Sequence, residues 1–191
     1  AYYGFQIDLN TSFTGEDSLD ISLDAGNAGG AVGEFDLNGA TAGISDLVSV
    51  DGVSYTFPLG DATMIVGDST DGSALFTTAC AYGGPSAMLD DCANVNAGIT
   101  GGEATIGASY DFGNGFTAAT GFQTSSTASG VFTDESKDAY AVNAAYTADS
   151  YGLSITYGLV EQDGLTNEDS YTAFNAYYTP DAAGIPSISA V

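Results

Sequence analysis

The chain has 191 residues and a formal charge of −24, because 25 acidic residues face a single basic one, Lys137, and it contains no His and no Trp. A chain so poor in cations cannot neutralise a phosphate backbone, which argues against nucleic acid as a partner; without His it has no Ser–His or Cys–His catalytic pair and no zinc ligand set. Its 44% apolar and 12% aromatic content is that of a folded chain, read as a single domain over 1–191, and no apolar run is long enough for a membrane helix.

Helix signals are scarce, and alternation with a period of two takes their place, so the predicted fold class is all-β and antiparallel. The chain opens in strand pattern over 1–9. A second strand is predicted over 18–26, where Leu19, Ile21, Leu23 and Ala25 alternate with Asp20, Ser22 and Asp24. A third follows over 31–40 and a fourth over 49–57, where Val53, Tyr55 and Phe57 alternate with Ser54 and Thr56. After a fifth strand over 62–67 comes the longest link, 68–102, which holds both cysteines. Cys80 and Cys92 flank the loop-like Gly83-Gly84-Pro85, so they read as a disulfide closing a small loop in an oxidising compartment.

Strands then resume over 103–112, where Ala104, Ile106, Ala108, Tyr110 and Phe112 share one side, and over 116–124 after the hairpin signal Asn114-Gly115. Further strands are predicted over 138–148, 152–160, 170–179 and 186–191, about eleven in all. Short links at 27–30, 58–61, 113–115, 149–151 and 180–185 alternate with longer ones at 10–17, 41–48, 68–102, 125–137 and 161–169. Alternation of this kind gives the two ends of a sheet different surroundings, which is the pattern of an up-and-down transmembrane β-barrel. Tyr and Phe gather at strand ends, among them Tyr2, Tyr3, Phe57, Phe112, Phe116, Tyr146, Tyr151, Tyr177 and Tyr178, as an interfacial girdle requires. A sandwich core would also use such aromatics.

The acids sort into two groups. The neighbouring pairs Glu16-Asp17, Asp90-Asp91, Asp134-Glu135 and Glu168-Asp169 lie on or beside links and read as solvated; they do not face each other across a cleft as glycosidase carboxylates do. Asp20, Ser22 and Asp24 occupy the polar side of a strand whose other side is Leu19, Ile21 and Leu23. On a barrel wall they line the pore and favour cations; on a soluble sheet they face solvent. No catalytic residue, metal site or cofactor is predicted, and the chain is read as a non-enzyme.

The stretch from Leu9 to Leu19, continued through Leu23-Asp24-Ala25-Gly26-Asn27, resembles the first barrel strands of cyanobacterial outer-membrane porins. So do Val53-Ser54-Tyr55-Thr56-Phe57-Pro58-Leu59-Gly60-Asp61, the segment Cys80 to Cys92 with Tyr82-Gly83-Gly84-Pro85, and Gly107 to Phe116. Val142 to Tyr157, Tyr178-Thr179-Pro180 and Pro186-Ser187-Ile188-Ser189 extend the likeness along the chain. The group is related to carbohydrate-selective porins and is also labelled iron-uptake porin. The resemblance implies a homo-oligomer, a trimer, set in outer-membrane lipid and passing small polar solutes and ions. Where members of the family often carry Arg on the polar side of the second strand, this chain has Asp20, Ser22 and Asp24, which turns the expectation towards cations. The wall-binding domain and aromatic-ended last strand of the family are not in this sequence, so the chain is expected to be part of a larger barrel of about 16–18 strands. The rival reading is a secreted acidic β-sandwich, a subunit of an extracellular fibre or surface layer built by strand addition.

Overall fold

The structure is a computed structural model that describes residues 4–26, 48–80, 99, 101–124, 137–161, 168–182 and 184–190. Ten strands follow in chain order: β1 (Gly4–Thr11), β2 (Ser18–Gly26), β3 (Val48–Leu59), β4 (Ala62–Asp68), β5 (Ala104–Gly113), β6 (Phe116–Thr124), β7 (Asp138–Thr147), β8 (Tyr151–Glu161), β9 (Glu168–Tyr178) and β10 (Ile188–Ala190). Each pairs antiparallel with the next, so one sheet runs from β1 to β10 in sequence order. Among the described residues the sheet is open, with β1 and β10 as its edges.

The hairpins follow from local chemistry. Between β5 and β6, Gly113, Asn114 and Gly115 all have positive φ, at 76°, 54° and 85°; Gly and Asn are the residues that adopt this conformation cheaply. At Gly115 a Cβ would stand 2.1 Å from the Thr147 carbonyl oxygen, so the neighbouring strand as well as the turn demands glycine. The β3–β4 turn uses Gly60 at φ 65° in the same way.

The strand expected over 31–40 lies outside the described residues, and the pairing leaves it no place between its neighbours. β2 pairs directly with β3, from Ser18 with Thr56 to Ala25 with Val48, so no strand of this sheet lies between them. In an antiparallel meander each strand reverses the chain, and removing one reverses the parity of everything before it. The link 12–17 therefore emerges at the short-turn end with Gly60 and Asn114, not on the long-link rim where it was expected. The C-terminal ends of β2, β4 and β6 lie at the opposite end.

The two faces of the sheet differ in chemistry and in burial. In β7, Asn143 is 3% exposed while its neighbour Val142 is 54% exposed; in β8, Thr156 is fully buried between Ile155 and Tyr157, which are 48% and 44% exposed. Phe174 and Asn175 in β9 repeat the contrast. Over β7 to β9 one face is thus small and polar yet covered, and the other is large and apolar yet bare, the reverse of the usual half-buried sheet. The apolar core is correspondingly slight, with Ile99 packed on Ala139 and Ala141 beside Phe76 and Val160.

Candidate functional site

The polar face is covered by a strap, residues 69–80, which leaves the end of β4 and crosses the inner side of the sheet. It is pinned first by the Thr70–Gly102 bridge and by the Thr105 hydroxyl, which donates to the Thr70 carbonyl at 2.7 Å. The strap then runs diagonally over β6, β7 and β8. Gly72 N–H donates to Gln123 Oε1 at 3.2 Å, Thr77 N–H to Asn143 Oδ1 at 3.1 Å, and Ala79 N–H to Ser154 Oγ at 2.9 Å. These acceptors are themselves held: Asn143 Nδ2 donates to Thr156 Oγ1 at 2.9 Å, and Gln123 Nε2 to the Gly101 carbonyl at 2.7 Å. Beyond its backbone bonds to Ile99, Gly102 and Glu103, the segment meets its needs through side chains on the sheet.

At Gly72 the strap lies close because the sheet beneath it has no side chains there. Gly107 and Gly121 are paired across β5 and β6, and a Cβ at Gly121 would fall 1.8 Å from the Gly72 carbonyl oxygen. Ile65, the one large apolar side chain buried on this face of β4, sits against Gly107. At the end of the strap, Cys80 is disulfide-bonded; Cys92, the other cysteine of the sequence, lies outside the described residues.

Between the start of the strap and the polar face of β1 to β3 lies a cleft of about 370 Å³, lined by Asp8, Asp20, Ser22, Asp51, Ser54 and Asp71 among others. The Ser22 hydroxyl donates to Asp8 Oδ1 at 2.7 Å and receives Gln6 Nε2 at 2.6 Å; Ser18 Oγ donates to Asp20 Oδ2 at 2.7 Å, and Asn10 Nδ2 reaches the other Asp20 oxygen. Of the three residues predicted to line a pore, Asp20 and Ser22 thus meet in the cleft. Asp24 shares their face but is 1% exposed and is not among the cleft's lining residues. Among the described residues no cluster of carboxylates is placed to hold a metal ion.

Three cleft residues escaped the sequence reading. Asp8 was legible, since it alternates with Ile7 and Leu9 and pairs with Ser22 across β1 and β2. Asp51 was not, because the register slips beside Ser22 and Leu23, whose partners in β3 are Gly52 and Val50. Asp71 comes from the strap and is brought in only by the fold.

The link 12–17 has a different role. Asp17 accepts from Ser12 Oγ at 2.6 Å, Thr14 N–H at 2.8 Å, Thr14 Oγ1 at 2.7 Å and Tyr55 OH at 2.6 Å. These donors, Ser12 first, hold its carboxyl far below the usual carboxylate range. Asp17 locks the β1–β2 turn onto β3, so the Glu16-Asp17 pair is not simply solvated.

On the bare apolar face, aromatic rings line the short-turn end. Phe13–Tyr55, Tyr55–Phe57, Tyr110–Phe112, Phe116–Tyr146 and Tyr146–Tyr151 have ring centroids 6.1, 5.3, 4.8, 4.6 and 5.8 Å apart. Tyr177, expected among them, turns to the polar face instead, where its ring lies over Gly152 and its hydroxyl donates to the Ala148 carbonyl at 3.5 Å. Tyr2 and Tyr3 lie outside the described residues. No protein-family model matches the chain, and neither curated proteins nor solved structures gave a match.

Proposed function

We propose that this chain forms wall and strap of an outer-membrane β-barrel pore through which small polar solutes and ions diffuse, cations ahead of anions. The observation that carries the reading is the inverted sheet: Val142, Ile155, Tyr157 and Phe174 stand bare, while Asn143, Thr156 and Asn175 between them are covered. Water penalises such an arrangement on both faces, whereas lipid outside and a watery lumen inside favour both. The aromatic row at the short-turn end has the position of an interfacial girdle. The strap then narrows the lumen, and the passage left beside it is the acidic cleft of Asp8, Asp20, Asp51 and Asp71.

Lipid cannot satisfy the amide and carbonyl groups along a free strand edge. The reading therefore requires further strands that close the wall between β1 and β10, and it includes the trimeric assembly implied by the family resemblance. The test is behaviour without and with detergent. The full chain should require detergent to stay dispersed and should give stepwise conductance in a planar bilayer. A chain that is monodisperse in plain buffer and silent in the bilayer sinks the pore and favours the secreted β-sandwich subunit.

A further inference from the structure

We infer that the strap is a redox latch: its start is hinged to the sheet, and the disulfide at Cys80 holds its far end down. The effect on flow rests on the pore reading; the movement of the strap does not.

The two ends are held by different means. At the start, backbone meets backbone: Ser69 N–H donates to the Glu103 carbonyl at 3.3 Å, Gly102 N–H to the Thr70 carbonyl at 3.2 Å and Ser73 N–H to the Ile99 carbonyl at 3.3 Å. Gly72 lies so close over Gly121 that a Cβ there has no room. Among the described residues, the strap beyond Phe76 is held to the sheet by two bonds, both to side chains. Thr77 N–H donates to Asn143 Oδ1 and Ala79 N–H to Ser154 Oγ.

The seat under that far end is incomplete. Asn175 stands opposite Ser154 in β9 and is fully buried. Its Nδ2 reaches Ser154 Oγ at 3.4 Å, while its Oδ1 has no hydrogen-bond partner. Turning the amide over would leave the nitrogen unpaired instead. A buried polar atom without a partner destabilises the closed seat, and water meets its need once the strap lifts.

The restraint that opposes this lifting is covalent. Cys80 is disulfide-bonded, and the sequence offers it one partner, Cys92. Cys92 stands seven residues before Ile99, whereas Cys80 stands nineteen before it. The bond therefore shortens the chain path from the far end of the strap to Ile99. That residue is a firm anchor, since its carbonyl bonds Ser73 and its side chain packs on Ala139 and Ala141. A shorter path leaves the far end less freedom to quit its seat. Cys80 is half-buried while Ala79 before it is fully buried, so a thiol has access to the bond. A dithiol opens it: the S–S bond breaks to two thiols, taking two electrons and two protons from the dithiol, which closes to its own disulfide. The far end then lifts about the hinge at Gly72 and widens the passage.

The experiment is limited chymotrypsin digestion of the full chain in detergent, without and with dithiothreitol, read by mass spectrometry, with unit conductance measured in parallel in a planar bilayer. Dithiothreitol, and separately Cys80→Ser with Cys92→Ser, should speed cleavage at Leu75 and Phe76 about ten-fold or more. Both should raise unit conductance and leave cleavage at the bare Phe13 as it was. Reoxidation of the wild-type chain before digestion should reverse both changes, while the double-serine chain should not respond to dithiothreitol. Cleavage at Leu75 and Phe76 that ignores the reductant overturns the latch, and so does a strap that opens without a change in conductance. Equal acceleration at Phe13 overturns it too, because the bond then holds the whole fold and not the strap. A wild-type chain silent in the bilayer before reductant is added overturns the pore reading itself, and cleavage then decides the movement of the strap.

Discussion

Single residues decide two features of the molecule. Gly121 has no room for a Cβ beneath the strap, and on the proposed pore reading its replacement acts on the lumen, not on the wall. Gly121→Val should push Gly72 off the sheet and open the passage, raising unit conductance in a planar bilayer and exposing the strap to protease. Unchanged conductance with a displaced strap would separate the strap from the passage. Asp17 acts through protons. Its folded carboxyl titrates well below its unfolded counterpart, whose pKa is about 3.9, so the stabilisation is fully present above that value and is lost as pH falls below it. Asp17→Asn should lower stability at neutral pH and flatten the decline of the melting temperature between about pH 4 and pH 2. Parallel melting curves for the two chains over that range would show that the turn does not depend on the ionised carboxylate.

At the scale of elements, the strap is held by acceptors on three successive strands, and each should contribute separately. Asn143 is buried and serves both Thr77 N–H and Thr156 Oγ1. Asn143→Ala leaves those groups without partners, an expected loss of about 1–3 kcal/mol in denaturant unfolding. Asn143→Asp keeps an acceptor for Thr77 but buries a charge, so it should cost at least as much. A loss within measurement error for both variants would mean that the bond to Asn143 does not hold the strap, which is then carried by Gln123, Ser154 and the packing of Phe76. The hairpins show a simpler logic. Gly113-Asn114-Gly115 declares its own geometry, because positive φ at consecutive positions is affordable only to these residues. A strand-like pattern over 31–40 declares less: it reads the same whether or not a neighbour exists to pair with it, and the direct pairing of β2 with β3 leaves it no place between those two.

For the whole molecule, charge is the dominant property. With 25 acids against Lys137, the cleft beside the strap, a passage on the proposed pore reading, is neutralised chiefly by mobile cations or by residues outside this chain. Reversal potentials in a salt gradient should show cation preference that declines as salt rises and the Debye length falls from about 10 Å at 0.1 M to about 3 Å at 1 M. Asp8→Asn with Asp20→Asn should reduce the preference more than Asp24→Asn, because the first two line the cleft and Asp24 is buried away from its lining. Equal effects from both sets would place the selective region elsewhere along the lumen.

The alternation of side chains by itself determined the all-β antiparallel class, the tight hairpin at Asn114 and the common facing of Asp20, Ser22 and Asp24, because successive residues of a strand point to opposite faces whatever surrounds them. It could not say which face is covered. That depends on residues 69–80 returning across the sheet to bonds with Gln123, Asn143 and Ser154, contacts more than 40 positions distant in the chain that no local pattern encodes. It could not place Asp51 or Asp71 in the cleft either, since one follows a slip in register and the other arrives on the strap. Strand count and the end at which each link emerges were likewise decided by pairing between strands, where one pairing gained or lost reverses the direction of all that precede it.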